Sequence, residues 1–307
     1  MRKLLIISTS AIAIVFAAFF ILFLYSPVPQ TSSFPLTLDQ IRKTAVQIPG
    51  TLPSRINILS IAETAFPPGF AVAGSFETQP APFYAYQIVY SGKDRHPVII
   101  DAGVSRAHLT GISRNAAFHE KEYEQIQRAM LTASAIVFTH EHADHMGGFA
   151  TSPFFKTIAP KALITSEQKE SSMISYALFP EGALNSTKTL SYNDLYVLAP
   201  GIVLIKTPGH SAGHQAVYIR RADGREFILA GDIGWHMDNI RIPRGRPLIT
   251  SLVLGENRDA SASQLRWLNE MEKAGITVIV THDKNRNEEL IKKGMIGPAF
   301  ELSTGRK

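Results

Sequence analysis

The chain opens with apolar residues that show no helical or strand period. Leu4 to Tyr25 is a run of 22 residues without a charge. A helix rising about 1.5 Å per residue over that length reaches across a hydrocarbon core of about 30 Å. Arg2 and Lys3 precede the run, so the positive-inside rule sends the rest of the chain outward. The pattern predicts an N-terminal transmembrane helix over residues 1–25 that holds the protein to the membrane, with an extracytoplasmic location. Secretion after signal cleavage is the alternative, disfavoured because the run exceeds the usual signal core of about 7–15 residues and no small-x-small site follows. Residues 26–54 carry Pro27, Pro29, Pro35, Pro49 and Pro53 among serines and threonines, and read as a linker. One folded domain is expected over residues 55–307.

Within that domain, short apolar runs alternate with amphipathic ones. Ile56–Ile61, Tyr84–Tyr90 and Pro97–Ile100 read as strands, and Tyr123, Ile126 and Met130 place a helix at about Phe118–Leu131. Ala135–Phe138, Ile202–Lys206, Phe227–Ala230 and Ile276–Val280 are predominantly apolar, with Lys206 and Thr277 the exceptions, as strands buried on both faces are. Leu265, Leu268 and Met271 give a covering helix over Ala260–Ala274. Each of the four buried-strand runs is followed within four residues by a histidine or an aspartate. This is the pattern of an α/β sheet that gathers its site along one edge.

Composition narrows the chemistry. In 307 residues, 45% are apolar, ample for a core. The formal charge of +5 falls to +3 once Arg2 and Lys3 are set aside, too weak a bias for a nucleic-acid partner. The chain contains no cysteine, so there are no disulfides, and any metal site must use His, Asp and Glu.

Such a set stands at Thr139-His140-Glu141-His142-Ala143-Asp144-His145, four candidate ligands within six residues. If the strand before it extends through His142, alternation puts His140 and His142 on one face, and a turn brings Asp144 and His145 back toward a second cation. A solvated loop with incidental histidines would account for any one of these residues, but not for four followed by His210, Asp232 and His282 at further strand ends.

The combination His140-x-His142-x-Asp144-His145, His210, Asp232 and His282 resembles the metallo-β-lactamase superfamily over about Ile56 to Asp283, with all seven ligand positions filled. The resemblance implies an αββα sandwich of two mixed sheets, and two zinc ions, with iron or manganese as alternatives. His140, His142 and His210 would hold the first metal, Asp144, His145 and His282 the second, and Asp232 would bridge them. It further implies that Asp101 braces a ligand from behind, and that a hydroxide between the metals attacks a polarised carbonyl, with Asp144 as the catalytic carboxylate that orients it or accepts its proton.

Departures from the family's branches sort the substrate. β-Lactamases of this superfamily usually carry Cys or Ser where this chain has Asp232. The glutathione-thioester branch normally appends a helical region, and here 25 residues follow His282. Thr207–Gln215 with Leu229–Asp232 looks most like the quorum-signal lactonases, a small-molecule lactone or ester being the expected substrate. Those enzymes place a tyrosine where this chain has Trp235, and an indole cannot donate a phenolic proton. A phosphodiesterase or a metal-dependent oxidoreductase on the same residues is the alternative. His214, Trp235 and His236 are candidate pocket residues. Arg241, Arg244 and Arg246 form a loop suited to a carboxylate or phosphate, though also ordinary as a solvated loop. His96, His108 and His119 read as surface residues.

Overall fold

The computed structural model describes residues 2–92, 96–113 and 115–302. The residues beyond 302, to which the domain was expected to run, lie outside the described residues. Twelve strands are formed there: β1 Pro53–Phe66, β2 Gln79–Tyr90, β3 Val98–Ile100, β4 Ala117–Phe118, β5 Ala135–Val137, β6 Ala162–Thr165, β7 Lys188–Leu190, β8 Leu195–Ala199, β9 Ile202–Lys206, β10 Gln215–Arg220, β11 Glu226–Leu229 and β12 Thr277–Ile279. The helices are α1 Arg2–Phe19, α2 Leu38–Ala45, α3 Arg106–Ile112, α4 Glu120–Thr132, α5 Ala143–Ala150, α6 Phe155–Ile158, α7 Ser166–Glu170, α8 Met237–Arg241, α9 Leu248–Leu254, α10 Arg258–Lys273 and α11 Lys284–Lys292.

Two mixed sheets result. One has seven strands in the order β4-β1-β2-β3-β5-β6-β7, and the other has five in the order β12-β11-β10-β9-β8. β3, β5, β6 and β7 run parallel, as do β11 and β12, while the remaining pairs are antiparallel.

Strand alternation explains how the apolar runs are used. Ile202, Leu204, Val217, Ile219, Phe227 and Leu229 face Ile56, Ile58, Ile88 and Val137 across the gap between the sheets. Their neighbours Val203, Ile205, Ala216, Tyr218 and Ile228 point the other way, onto Trp267, Leu268 and Ile240 of the helices. On the far side, Leu59, Ile61, Ile99 and Ile136 pack on Ile126 and Met130 of α4 and on Met146 and Phe149 of α5. The three cores make the αββα layering that the family resemblance implies.

The N-terminal region differs from expectation. α1 ends at Phe19, and Phe20–Leu24 continue as one π-helical stretch. The 18 residues of α1 span about 27 Å and include Arg2 and Lys3. Among the described residues no helix is long and apolar enough to cross a membrane. The end of the segment folds onto the domain, with Phe19 stacked on Phe76 at 6.2 Å and the Gly74 N–H donating to the Phe23 carbonyl at 3.0 Å.

The stretch read as a linker is likewise partly built in. Thr37 caps α2 through a reciprocal pair with Gln40, and α2 buries Ile41 and Ala45 against the five-stranded sheet. Leu36 and Phe34 join it, Phe34 lying 4.8 Å from the Trp267 ring. Prolines on either side hid a short amphipathic helix of eight residues.

Candidate metal centre

Each candidate ligand is delivered by the end of a strand. β5 stops at Val137, so His140 and His142 lie in the following turn, not on a prolonged strand. His142 is the N-cap of α5, and Asp144 and His145 occupy the first turn of that helix, where its dipole favours a carboxylate. His210 follows β9, Asp232 follows β11 and His282 follows β12. The site needs close backbone approach: a side-chain carbon at Gly148 in α5 would lie 2.2 Å from the Ala102 carbonyl oxygen. Gly231, at φ +52°, leaves room for the His214 ring, which such a carbon would meet at 2.6 Å.

Two donor groups converge: His140, His142 and His210, and beside them Asp144, His145, Asp232 and His282, all buried except the half-buried Asp144. Asp232 joins them. Its Oδ2 lies 3.4 Å from His210 Nε2 and 3.8 Å from His140 Nε2. Its Oδ1 lies 3.4 Å from His145 Nε2 and 3.3 Å from His282 Nε2. Asp144 Oδ2 closes the second group, 3.5 Å from His145 Nε2 and 3.4 Å from His282 Nε2.

Hydrogen bonds behind the rings fix which nitrogen faces inward. His145 Nδ1 donates to Asp101 at 2.9 Å, His282 Nδ1 to the Pro82 carbonyl at 2.8 Å and His210 Nδ1 to Glu256 at 2.6 Å. The Thr139 hydroxyl donates to Asp101 at 2.8 Å and so accepts from His140 Nδ1 at 3.1 Å. In the neutral rings, each Nε2 then turns a lone pair toward the cluster. His140 Nε2, His145 Nε2 and Asp232 Oδ1 are buried without a hydrogen-bond partner. Inward lone pairs facing carboxylate oxygens are what divalent cations satisfy, so these residues fit metal binding.

The protonation pattern agrees. Burial, reinforced by neighbouring rings, drives His140 well below its usual pKa and His142 to about 3. Burial also opposes charge on His145 and His282, but there the carboxylates win. Asp144, Asp101 and Asp232 hold His145 well above its ordinary value, and Asp232 with Asp144 lifts His282 to about 9. Protons therefore sit where a cation would otherwise balance the two carboxylates. Asp232 and Asp144, despite a burial that alone would raise them, are held far below the carboxylate range, chiefly by His282 and His145 respectively.

Asp101 lies behind the site, at φ +58° with its carboxylate on the Thr139 N–H, the Thr139 hydroxyl and His145. The pocket candidates fared differently. His214 is buried: it donates from Nδ1 to Thr207 and accepts the Asp232 N–H on Nε2 at 3.0 Å, so it braces the Asp232 backbone and is no pocket residue. His236 caps α8 and lies 3.4 Å from Asp283. Trp235 is both wall and partner. It stacks on Phe66 at 4.6 Å and Phe70 at 5.5 Å, and its indole N–H donates to Asp232 Oδ2 at 2.7 Å.

In the arginine loop Arg246 is buried, while Arg241 and Arg244 are exposed and each has a partner within the chain. Arg246 is buried on Glu256 and lies over the Trp235 ring at 4.3 Å, Arg244 donates to the Ala73 carbonyl, and Arg241 pairs with Glu272. His108, expected at the surface, is buried on Gly147 with Ser105 as its partner, and His119 is half-buried, bonded to the Ser60 carbonyl. His96 is exposed. Glu256 was not foreseen: a lone glutamate between two helices carries no local motif.

The model of the metallo-beta-lactamase superfamily matches residues 82–282. The chain is similar to hydroxyacylglutathione hydrolase of Prochlorococcus marinus strain NATL1A, 28% identical over 191 residues covering 58% of this chain and 70% of that protein. It is also similar to N-acyl homoserine lactonase of Bacillus thuringiensis, 26% identical over 107 residues, 34% of this chain and 40% of the lactonase. In fold it is similar to the crystal structure of a quorum-quenching N-acyl homoserine lactone lactonase, with TM-score 0.61 at 15% identity over 81% of this chain and 99% of that one. A dizinc quorum-quenching lactonase in complex with its product gives TM-score 0.54 at 14% identity, over 77% and 91%.

Proposed function

Since the chain belongs to the metallo-beta-lactamase superfamily, we propose that it is a hydrolase that binds two divalent cations, zinc foremost, and cleaves the acyl–oxygen bond of a lactone or ester. The observation that carries this reading is the placement of Asp232, whose two oxygens face separate histidine sets at 3.3–3.8 Å. His140, His142 and His210 would hold one cation, Asp144, His145 and His282 the other, with Asp232 shared. Bound there, the cations would supply an activated water at neutral pH and positive charge for the carbonyl oxygen.

The chain's own residues set the rest. Asp144 is half-buried at the edge of the cluster and keeps its charge, which suits it to orient a water by accepting its hydrogen bond and makes it a weak store for the proton. Trp235 spends its N–H on Asp232, so it cannot also reach a substrate carbonyl. With half-buried Phe66 and Phe70, it forms an apolar wall whose Phe66 ring meets His282 edge-on at 5.5 Å. An acyl chain has a surface to lie on there.

The similarity to a hydroxyacylglutathione hydrolase makes a thioester the specific competitor within carbonyl chemistry. The test is a panel of lactones, oxygen esters, glutathione thioesters, β-lactams and phosphodiesters on the zinc-loaded full chain. Lactone or ester turnover that disappears in Asp144→Ala is expected. Turnover confined to phosphodiesters, or redox activity with bound iron, would overturn the assignment. For location, Arg2 and Lys3 ahead of the apolar run Leu4–Tyr25 have the charged-then-apolar order of an export signal, which supports placing the domain outside the cytoplasm without a spanning helix. A C-terminal alkaline phosphatase fusion that stays inactive in cells would contradict that placement.

A further inference from the structure

The residues behind His210 form a unit that neither the ligand motif nor the reaction requires. Glu256 follows α9, and its side chain is 2% exposed. One oxygen, Oε1, accepts both from His210 Nδ1 and from Arg246 Nη1, each at 2.6 Å. Arg246, also 2% exposed, turns Nη2 to the Asp232 carbonyl and lays its guanidinium over Trp235. Trp235 in turn donates to Asp232 Oδ2. The Asn257 N–H bonds the Gly209 carbonyl at 2.8 Å, tying this turn to the loop that carries His210.

We propose that Glu256 and Arg246 are a positioning pair that sets the affinity of the His140–His142–His210 group for a divalent metal. The inference rests on the two-cation reading above. Glu256 holds the His210 proton on Nδ1 and so leaves Nε2 free as a ligand, and its negative charge raises the donor strength of the ring. Arg246 makes that buried carboxylate tolerable, since an unpaired charge there would be costly. The same guanidinium fixes the Asp232 backbone and the indole on its carboxylate. The pair therefore joins a ligand of one group to the carboxylate shared by both.

The test is zinc titration of the metal-depleted full chain against a chromogenic chelator, with cobalt as a visible-absorption probe. For wild type, two zinc ions per chain are expected. In Glu256→Gln one of the two affinities should fall about 10–100-fold, with the other retained and the cobalt bands altered. Asp101→Asn should weaken the other site instead. Because Glu256→Gln strands Arg246, the double variant Glu256→Gln/Arg246→Met removes both charges and keeps the test available if the single variant does not fold. Two zinc ions at unchanged affinity in either variant, with wild-type cobalt bands, would overturn the pairing while leaving the metal centre standing. A wild-type chain that binds no zinc would overturn both.

Discussion

Asp101→Asn isolates the charge that holds His145. Asp101 is fully buried and accepts three hydrogen bonds at 2.7–2.9 Å: the Thr139 N–H on Oδ1, and the Thr139 hydroxyl and His145 Nδ1 on Oδ2. An asparagine matches its shape and tolerates its φ of +58°, so the backbone is not the variable. If the amide oxygen takes the Oδ2 place, its NH2 confronts the Thr139 N–H, donor against donor. If the oxygen takes the Oδ1 place, the NH2 faces His145 Nδ1, and the imidazole can relieve the conflict by moving its proton to Nε2. That tautomer cannot ligate a cation. A buried hydrogen bond to a charged group is worth about 1.5–3 kcal/mol. Metal affinity at the His145 group should therefore drop about 10–100-fold, the size of effect known for residues that support metal ligands. Chelator competition measures the affinity, and long-range proton–nitrogen NMR of the imidazoles reads the tautomer. A variant that keeps wild-type affinity for both zinc ions, with Nδ1 of His145 still protonated, refutes the reasoning.

Three further outcomes follow from the geometry. Gly148→Ala would gain about 1 kcal/mol from helix propensity alone, but its Cβ at 2.2 Å from the Ala102 carbonyl must push α5 away, so a net loss of about 1–3 kcal/mol is expected in urea unfolding; a stabilised variant contradicts the close approach. Trp235→Phe keeps the stacking on Phe66 and Phe70 yet removes the donor to Asp232, and a fall in kcat/KM of about 10–100-fold is expected, with unchanged kinetics as the contrary result. Zinc at 100 times its Kd should stabilise the fold by about 2.7 kcal/mol, read as a rise in Tm that a chelator reverses, and a Tm indifferent to zinc speaks against a preformed site.

Sequence alone revealed those parts of the molecule where one residue pattern has one physical use. Ile202–Ile205 is apolar because both faces of the strand are covered, and β9 has the bounds expected of it. The candidate ligands were legible because each group of them follows a buried strand within a few residues. What stayed hidden depends on distant partners. α2 is amphipathic over only eight residues, and its burial comes from the sheet it meets. β8 is half-exposed throughout, so neither face shows a contrast. His108 and His214 look like any polar histidine until Gly147 and Gly231 make room for them. Glu256 and Arg246 acquire their role only when the turn after α9 folds behind His210. The N-terminal run misled in the opposite sense: its composition suits a spanning helix, while the α-helical part stops at Phe19 and the remainder turns onto Gly74.

The central claim is that buried histidines and aspartates on either side of Asp232 make one hydrolytic centre for two cations. It is tested most directly by adding zinc stepwise to the metal-depleted full chain while following hydrolysis of a lactone and an oxygen ester. The account predicts that turnover rises with zinc and levels off at two ions per chain, and that Asp232→Asn abolishes the rise. Hydrolysis independent of zinc, or two bound ions with neither substrate cleaved, would contradict it.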